Sequence, residues 1–581
     1  MPLVDQLLRS LGTTMSSFPS LAIHYEPEAY TLGERRIMGR QAAGTAFLKA
    51  LAQQRPTRLF CYASKREFAD QFSIDVRRYG ADSTAIEWLP FPAHRRLGEA
   101  GLLYNPDPRL APFAWRRSQH SPRAYSLCGV THTLMSHIGM ETLADMALSP
   151  LEHWDAMICT SRAVHRSVDS LLFVQGEFLK QRLGARRMPI PQLPIIPLGV
   201  DCDAFVLKPG EREKARHMLG IDEDEIVLLY VGRLSFHAKA HHVPMLLAAE
   251  EASKEQKIVL LQAGWFANEK IEEVYRSEGA QFAPSLRRLF IDGRKPKELR
   301  AAWAAGDIFT SLSDNFQETF GLTPLEAMAS GMPVVVSDWD GYKDSVRHGV
   351  DGFRIPTMTM PPGTAEFLVE RADFGFDDYD KYSGLTSTLV AVDVKAAAHA
   401  YRSLFQSSDL RREMGASASA RARSEYDWQR ILGLYGQLWK ELESRRNAGA
   451  DPSVQAVPGR PDRMNPFTMF SSYPTATISE KTKFALRNGI DEAEANRRIC
   501  SASFGSAVNI LIKPEVVAEI VGALASKSTM LSLAEISTRL PQVPRDMLMR
   551  AAVILTKCGV LDFEASSAAV SNLAEKKVES T

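Results

Sequence analysis

Between residues 225 and 338 short apolar runs alternate with helix-like stretches, and this alternation constrains the fold more than any other feature of the chain. The runs are EIVLLYVG (225–232), KIVLLQAG (257–264), RRLFIDG (287–293), DIFTSLS (307–313) and PVVVSD (333–338). Stretches such as KPKELRAAWAAG and LTPLEAMASG separate most of them. Strands that are apolar on both faces need cover on both faces, and intervening helices supply it. The pattern predicts a parallel, doubly wound α/β layer of the Rossmann type.

A weaker version of the pattern precedes it. RLFCYAS (58–64), AYSLCGVTH (124–132) and AMICTS (156–161) are candidate strands, with helices over 39–54 and 161–172. A proline-rich hinge, RMPIPQLPIIPLGVD (187–201), separates the two halves, and proline stiffens such a connection. Residues 395–445 are helical by period, DPSVQAVPGRPDRMNP (451–466) reads as linker, and the rest looks mostly helical. There SLAEISTRL, PQVP and RDMLMRAAVILTKCGVLDF follow the helix–turn–helix–strand order of a winged helix. The expected domains are 1–195, 196–445, a linker over 446–466, a helical domain over 467–570 and a tail over 571–581.

At 581 residues a single core is excluded. Lys+Arg and Asp+Glu are both 69, so no global basic field points to nucleic acid. The six cysteines are scattered without a C-x-x-C pair, which predicts reduced thiols and a cytoplasmic protein. No apolar run approaches the roughly 18 residues of a membrane helix, and no secretory signal is visible. Leu3, Leu7, Leu8 and Leu11 fit an amphipathic helix, expected to pack on its domain, with peripheral contact at the inner face of a membrane left open.

The chemistry is carried by the segment from Asp314 to Pro333, DNFQETFGLTPLEAMASGMP, which follows a strand and opens a helix. Thr323 is the expected N-cap, with Pro324 at N1 and Glu326 at N3, a capping box. Gly331 and Pro333 would end the helix. The free N–H groups of such a helix head attract phosphate, and Gly321 permits close backbone approach. At another strand end stand Gly232, Arg233 and, six residues after Arg233, Lys239. Arginine offers a planar fork and lysine a point charge, a pair suited to a diphosphate.

Glu318 and Glu326 frame E-T-F-G-L-T-P-L-E, followed by A-M-A-S-G-M-P-V-V, and VGRL and IPLGVD (196–201) precede it. This ordered set resembles the retaining, GT-B-fold glycosyltransferases of family four. The resemblance implies two Rossmann-like domains facing across a cleft and metal-independent transfer from a nucleotide-diphosphate sugar, without cofactor, to a saccharide or lipid-linked acceptor in polysaccharide biosynthesis. It implies that Arg233 and Lys239 hold the donor diphosphate, Glu318 contacts the donor sugar, and Glu326 binds the ribose. The amides of Phe320, Gly321, Leu322 and Thr323 would receive sugar and phosphate oxygens, and the base would lie near Gly293. His132, in GVTH, is the candidate to face the transferred sugar from the first domain. Residues 357–392 are longer than the family's usual connection and read as an insertion.

Alternatives remain at this stage. GT-B architecture also serves epimerases and phosphorylases. Two glutamates alone suit a glycoside hydrolase. The C-terminal helix–turn–helix suits a DNA- or partner-binding regulator, and neutral charge favours a partner or self-association. His237, His241 and His242 have zinc-like spacing but no further ligand to complete a site, so no metal is expected.

Overall fold

The computed structural model describes residues 20–30, 39–254, 256–448, 456–457, 459–501, 503–504, 508, 510–525 and 529–564. The expected N-terminal helix, the 571–581 tail and parts of the linker lie outside them. The chain divides into two units, 1–459 and a second starting at Arg460, a boundary inside the expected linker.

The first unit holds two six-stranded parallel sheets. One comprises β1 (Leu21–His24), β2 (Arg58–Ala63), β3 (Ala85–Pro90), β4 (Leu102–Asn105), β5 (Ser126–Val130) and β6 (Ala156–Ile158). The other comprises β7 (Ile226–Val231), β8 (Ile258–Gly264), β9 (Arg287–Asp292), β10 (Ile308–Ser311), β11 (Val334–Ser337) and β12 (Gly352–Ile355). Their orders are β3-β2-β1-β4-β5-β6 and β12-β11-β10-β7-β8-β9. Counted from the first strand of each, both run 3-2-1-4-5-6. Two such layers are the expected GT-B pair of Rossmann-like domains.

The central strands explain this arrangement. Every residue of β7 and β8 is buried, so each needs helices on both faces. In the first sheet β1, β3 and β4 escaped the sequence reading. β1 and β4 have four residues each, too few for a periodic signal. β3, AIEWLP, is an edge strand with one fully buried residue, and it carries a glutamate and a proline, as edges do.

One boundary differs from expectation. Helix α5 (Trp428–Asn447), expected in the 196–445 domain, packs on the first sheet. (Labels α1 to α7 run in chain order: α1 is Gly39–Gln53, α2 Leu322–Ala329, α3 Glu366–Asp373, α4 Tyr379–Ser387, α6 Leu533–Arg539 and α7 Arg545–Lys557.) Its buried face, Ile431, Leu432, Tyr435, Leu438, Trp439 and Leu442, shares one core with Leu21, Ile23, Phe47 and Tyr104. The Tyr435 ring lies 5.5 Å from Phe47 of α1. An apolar stripe at 3–4 spacing must be buried somewhere, and α5 buries its own beside α1 on this face of the first sheet. The chain therefore crosses between the layers twice, side by side: Val200 N–H donates to Tyr426 at 2.9 Å and Trp428 N–H to Val200 at 3.2 Å. Gly199 is required there, because a Cβ would meet the Trp428 ring at 2.4 Å.

Residues 357–392 fold as a two-stranded antiparallel ribbon, β13 (Thr357–Thr359) and β14 (Val390–Val392), carrying α3 and α4. In the second unit β15 (Lys483–Leu486) pairs antiparallel with β16 (Leu531–Ser532) and β17 (Leu561–Glu564). A capping box at Ser532 and Glu535 opens α6, and α7 and β17 complete the winged-helix order. Arg545 and Arg550 of α7 pair with Glu480 and Asp546 at 2.7 and 2.9 Å.

Candidate active site

In a 3-2-1-4-5-6 sheet the crevice opens where strand order reverses, beyond the carboxyl ends of strands one and four. In the second sheet these are β7 and β10. The loop after β7 carries Gly232, Arg233 and Lys239, and the loop after β10 carries Asp314 to Gly321. Three bonds staple them together. Lys239 Nζ lies 3.1 Å from Glu318 Oε2, Asn315 Nδ2 donates to the His237 carbonyl at 2.9 Å, and the His241 amide donates to Asp314 at 3.1 Å. Arg233 donates to the Ala238 carbonyl within its own loop at 3.3 Å. The structure thus brings Arg233, Lys239 and Glu318 into one place.

Glu318 is 14% exposed. Burial works to raise its pKa, but the Lys239 charge and hydrogen bond, with the amides of Phe320 and Thr319, outweigh it and hold the carboxylate below its usual value. One of these donors, the Phe320 amide, is among those the sequence assigns to substrate oxygens. Just beyond, α2 begins. Its N-cap is Gly321 with φ +84°, and no side chain caps it, so the expected capping box at Thr323 and Glu326 is absent. Thr323 falls at N2, Pro324 at N3 and Glu326 inside the helix. The chain turns at Gly321 because φ there is positive and a Cβ would stand 2.0 Å from the Tyr342 ring. The helix head is left open to a ligand. The Glu326 carboxylate accepts no hydrogen bond among the described residues, and burial alone pushes its pKa up to about 7.

Several contributors escaped the sequence reading. Buried Asp314 is raised to about 7, chiefly by burial against the His241 amide. Asp340 has φ +41°, and burial, with the nearby Glu318 charge, raises its pKa to about 8. No motif marked either, since single aspartates after strands are common turn formers.

The first layer faces this crevice. Thr133 and Thr160 hydroxyls donate to the carbonyls of Gln317 and Thr319, both at 3.4 Å. Ser161 Oγ donates to Asp340 at 3.2 Å, and the Arg162 amide donates to Asp344 at 2.7 Å. From the ribbon, Asp373 lies 3.5 Å from His137 Nδ1, and the Thr386 hydroxyl lies 3.9 Å from Met135 Sδ. His132, next to Thr133, is committed elsewhere: its Nε2–H donates to the Pro106 carbonyl at 2.6 Å. Burial lowers its pKa, so it is a neutral imidazole with Nδ1 as acceptor. Gly293 follows β9, two strands from β7, and its amide donates to the Gly264 carbonyl at the end of β8 at 3.0 Å. At the equivalent crevice of the first sheet His24 Nδ1 and Asn105 Oδ1 lie 2.8 Å apart.

Residues 211–362 match the family described as glycosyl transferases group 1. The match covers about a quarter of the chain. It contains the whole stapled pair of loops and α2. A D-inositol 3-phosphate glycosyltransferase of Geodermatophilus obscurus is 34% identical over 168 residues, 27% of this chain and 35% of that protein. The sulfoquinovosyl transferase SQD2 of Arabidopsis thaliana is 26% identical over 191 residues, 33% of this chain and 35% of that protein. The chain spans between 35% and 50% of the length of the curated relatives it matches. The crystal structure of Anabaena HepE in complex with UDP and glucose aligns with 73% of this chain and all of its own, with TM-score 0.48 and 16% identity. The sucrose-phosphate synthase of Thermosynechococcus elongatus aligns with 74% of this chain at TM-score 0.46 and 18% identity.

Proposed function

We propose that the protein is a retaining glycosyltransferase that moves a sugar from a nucleotide-diphosphate donor to a saccharide or lipid-linked acceptor hydroxyl. The observation that carries this reading is the Lys239–Glu318 contact of 3.1 Å beside Arg233 at the open head of α2, inside the segment that matches the family. Arg233 and Lys239 take the charge of the diphosphate, so the transfer proceeds without a metal. Glu318, released from Lys239 and the Phe320 amide when the donor arrives, receives hydroxyls of the donor sugar. Glu326 receives those of the ribose.

The acceptor oxygen bonds to the anomeric carbon on the face the diphosphate leaves. The carbon–oxygen bond to the diphosphate breaks, and its electron pair stays on that oxygen. The same oxygen takes the proton of the attacking hydroxyl, so no enzyme nucleophile is needed. Stabilising the charge that grows on the diphosphate is then the main catalytic contribution. His132 Nδ1, neutral and free to accept, orients a hydroxyl at the cleft. The engaged arginines of α7 favour a protein partner over DNA for the C-terminal unit.

The test is a thermal-shift panel of UDP, GDP, ADP and their sugars. A ligand at 100 times its Kd adds about 2.7 kcal/mol, a shift that is readily seen. One nucleoside diphosphate and its sugars are expected to stand out, and silence across the panel would contradict the reading.

A further inference from the structure

The ribbon over 357–392 reaches the donor loops through one face of α4. Ser383, fully buried, accepts from Gln317 Nε2 at 2.8 Å. Its hydroxyl lies 3.4 Å from both the His237 carbonyl and Asn315 Oδ1. A Cβ on Gly384 would stand 3.0 Å from the His237 Cβ. So α4 is fastened to the same two loops that carry Arg233, Lys239 and Glu318.

Tyr379 precedes Ser383 by four residues, one helical turn back on the same face. Its hydroxyl is buried and has no hydrogen-bond partner among the described residues. The charged groups that act on it are Asp380, its chain neighbour, and Arg233. A buried phenol ordinarily finds a partner. One left without a partner beside a cation placed to hold an anion is completed when the anion arrives.

We propose that Tyr379 is a donor-contacting residue, whose hydroxyl donates a hydrogen bond to an oxygen of the diphosphate held by Arg233. This rests on the donor reading above. It gives the ribbon a place in the site: α4 closes one side of the diphosphate pocket and brings a side-chain hydroxyl donor to join the amides at the head of α2.

The experiment uses full-length wild type and Tyr379→Phe, which keeps the ring and its packing. By calorimetry, each is titrated with the diphosphate among UDP, GDP and ADP that wild type binds most tightly, and with the matching nucleoside. The variant should bind the diphosphate about ten- to a hundredfold more weakly, the loss expected for a hydrogen bond to a charged group. Its nucleoside affinity should be unchanged. In an Arg233→Ala background the same substitution should cost less than threefold, because the oxygen is no longer fixed. Equal diphosphate affinities in wild type and Tyr379→Phe would overturn the proposal. So would an equal loss for diphosphate and nucleoside, which would make the hydroxyl a packing group. Failure of wild type to bind any nucleoside diphosphate would instead overturn the donor reading itself.

Discussion

The two six-stranded sheets have the same strand order and open their crevices at the same topological point, yet they place opposite chemistry there. At the β7/β10 crevice stand Arg233, Lys239, Glu318 and the open head of α2. At the β1/β4 crevice stand His24, lowered in pKa mainly by burial, and Asn105, 2.8 Å apart. One end suits a diphosphate; the other, where Arg40 and Asp107 offset each other 3.5 Å apart beside a neutral histidine, suits hydroxyls. Topology sets where a Rossmann-like layer binds, and the side chains on two loops set what it binds.

This contrast breaks most readily at Arg233. Arg233→Ala should lower kcat by roughly 10²–10³, as removal of a key electrostatic donor does, with little change in the KM for acceptor. An enzyme within threefold of wild type would remove the asymmetry between the crevices.

Next in size is a pH effect confined to the second layer. Glu326 has a folded-state pKa of about 7 without ligand, and ribose hydroxyls prefer its charged form. Affinity for the nucleotide sugar, which does not itself titrate here, should fall by up to about tenfold per unit as pH drops below 7. In Glu326→Gln the profile should flatten; an unchanged profile would assign the titration elsewhere.

Smaller still is the effect at the neutral crevice. His132→Ala should raise the acceptor KM less than about tenfold, the loss of a neutral hydrogen bond, and leave donor affinity unchanged. A large kcat loss would give the first layer a charged role that its buried histidine does not suggest.

The smallest effect is on stability. Asp340 has a folded pKa of about 8, above its unfolded value. Folding therefore favours its proton, and this contribution is full below about pH 4 and lost as pH rises through about 8. Asp340→Asn, which also suits a positive φ, should show a melting-temperature drop from pH 6 to pH 9 smaller than that of wild type by a few degrees, roughly. An identical drop would clear Asp340 of this role.

Legibility followed the same divide. Strands β7 and β8 are buried along their whole length, and their continuous apolar runs were plain in the sequence. β1 and β4 were too short and β3 too polar. The glutamates, Arg233 and Lys239 were legible because they recur in an ordered motif. The head of α2 was misread because Thr-Pro-x-Glu resembles a capping box, whereas packing on Tyr342 and the positive φ of Gly321 start the helix two residues earlier. The docking of α5 on the first sheet and the place of Tyr379 depend on contacts between segments distant in the chain. Local periodicity carries no such signal.

The most direct test of the account is calorimetric comparison of a nucleoside diphosphate with its nucleoside, on wild type and on an Arg233→Ala/Lys239→Met variant. Wild type should prefer the diphosphate strongly, and the variant should lose most of that preference while still binding the nucleoside. A preference that survives loss of both cations would show that the diphosphate is held elsewhere, and would contradict the account.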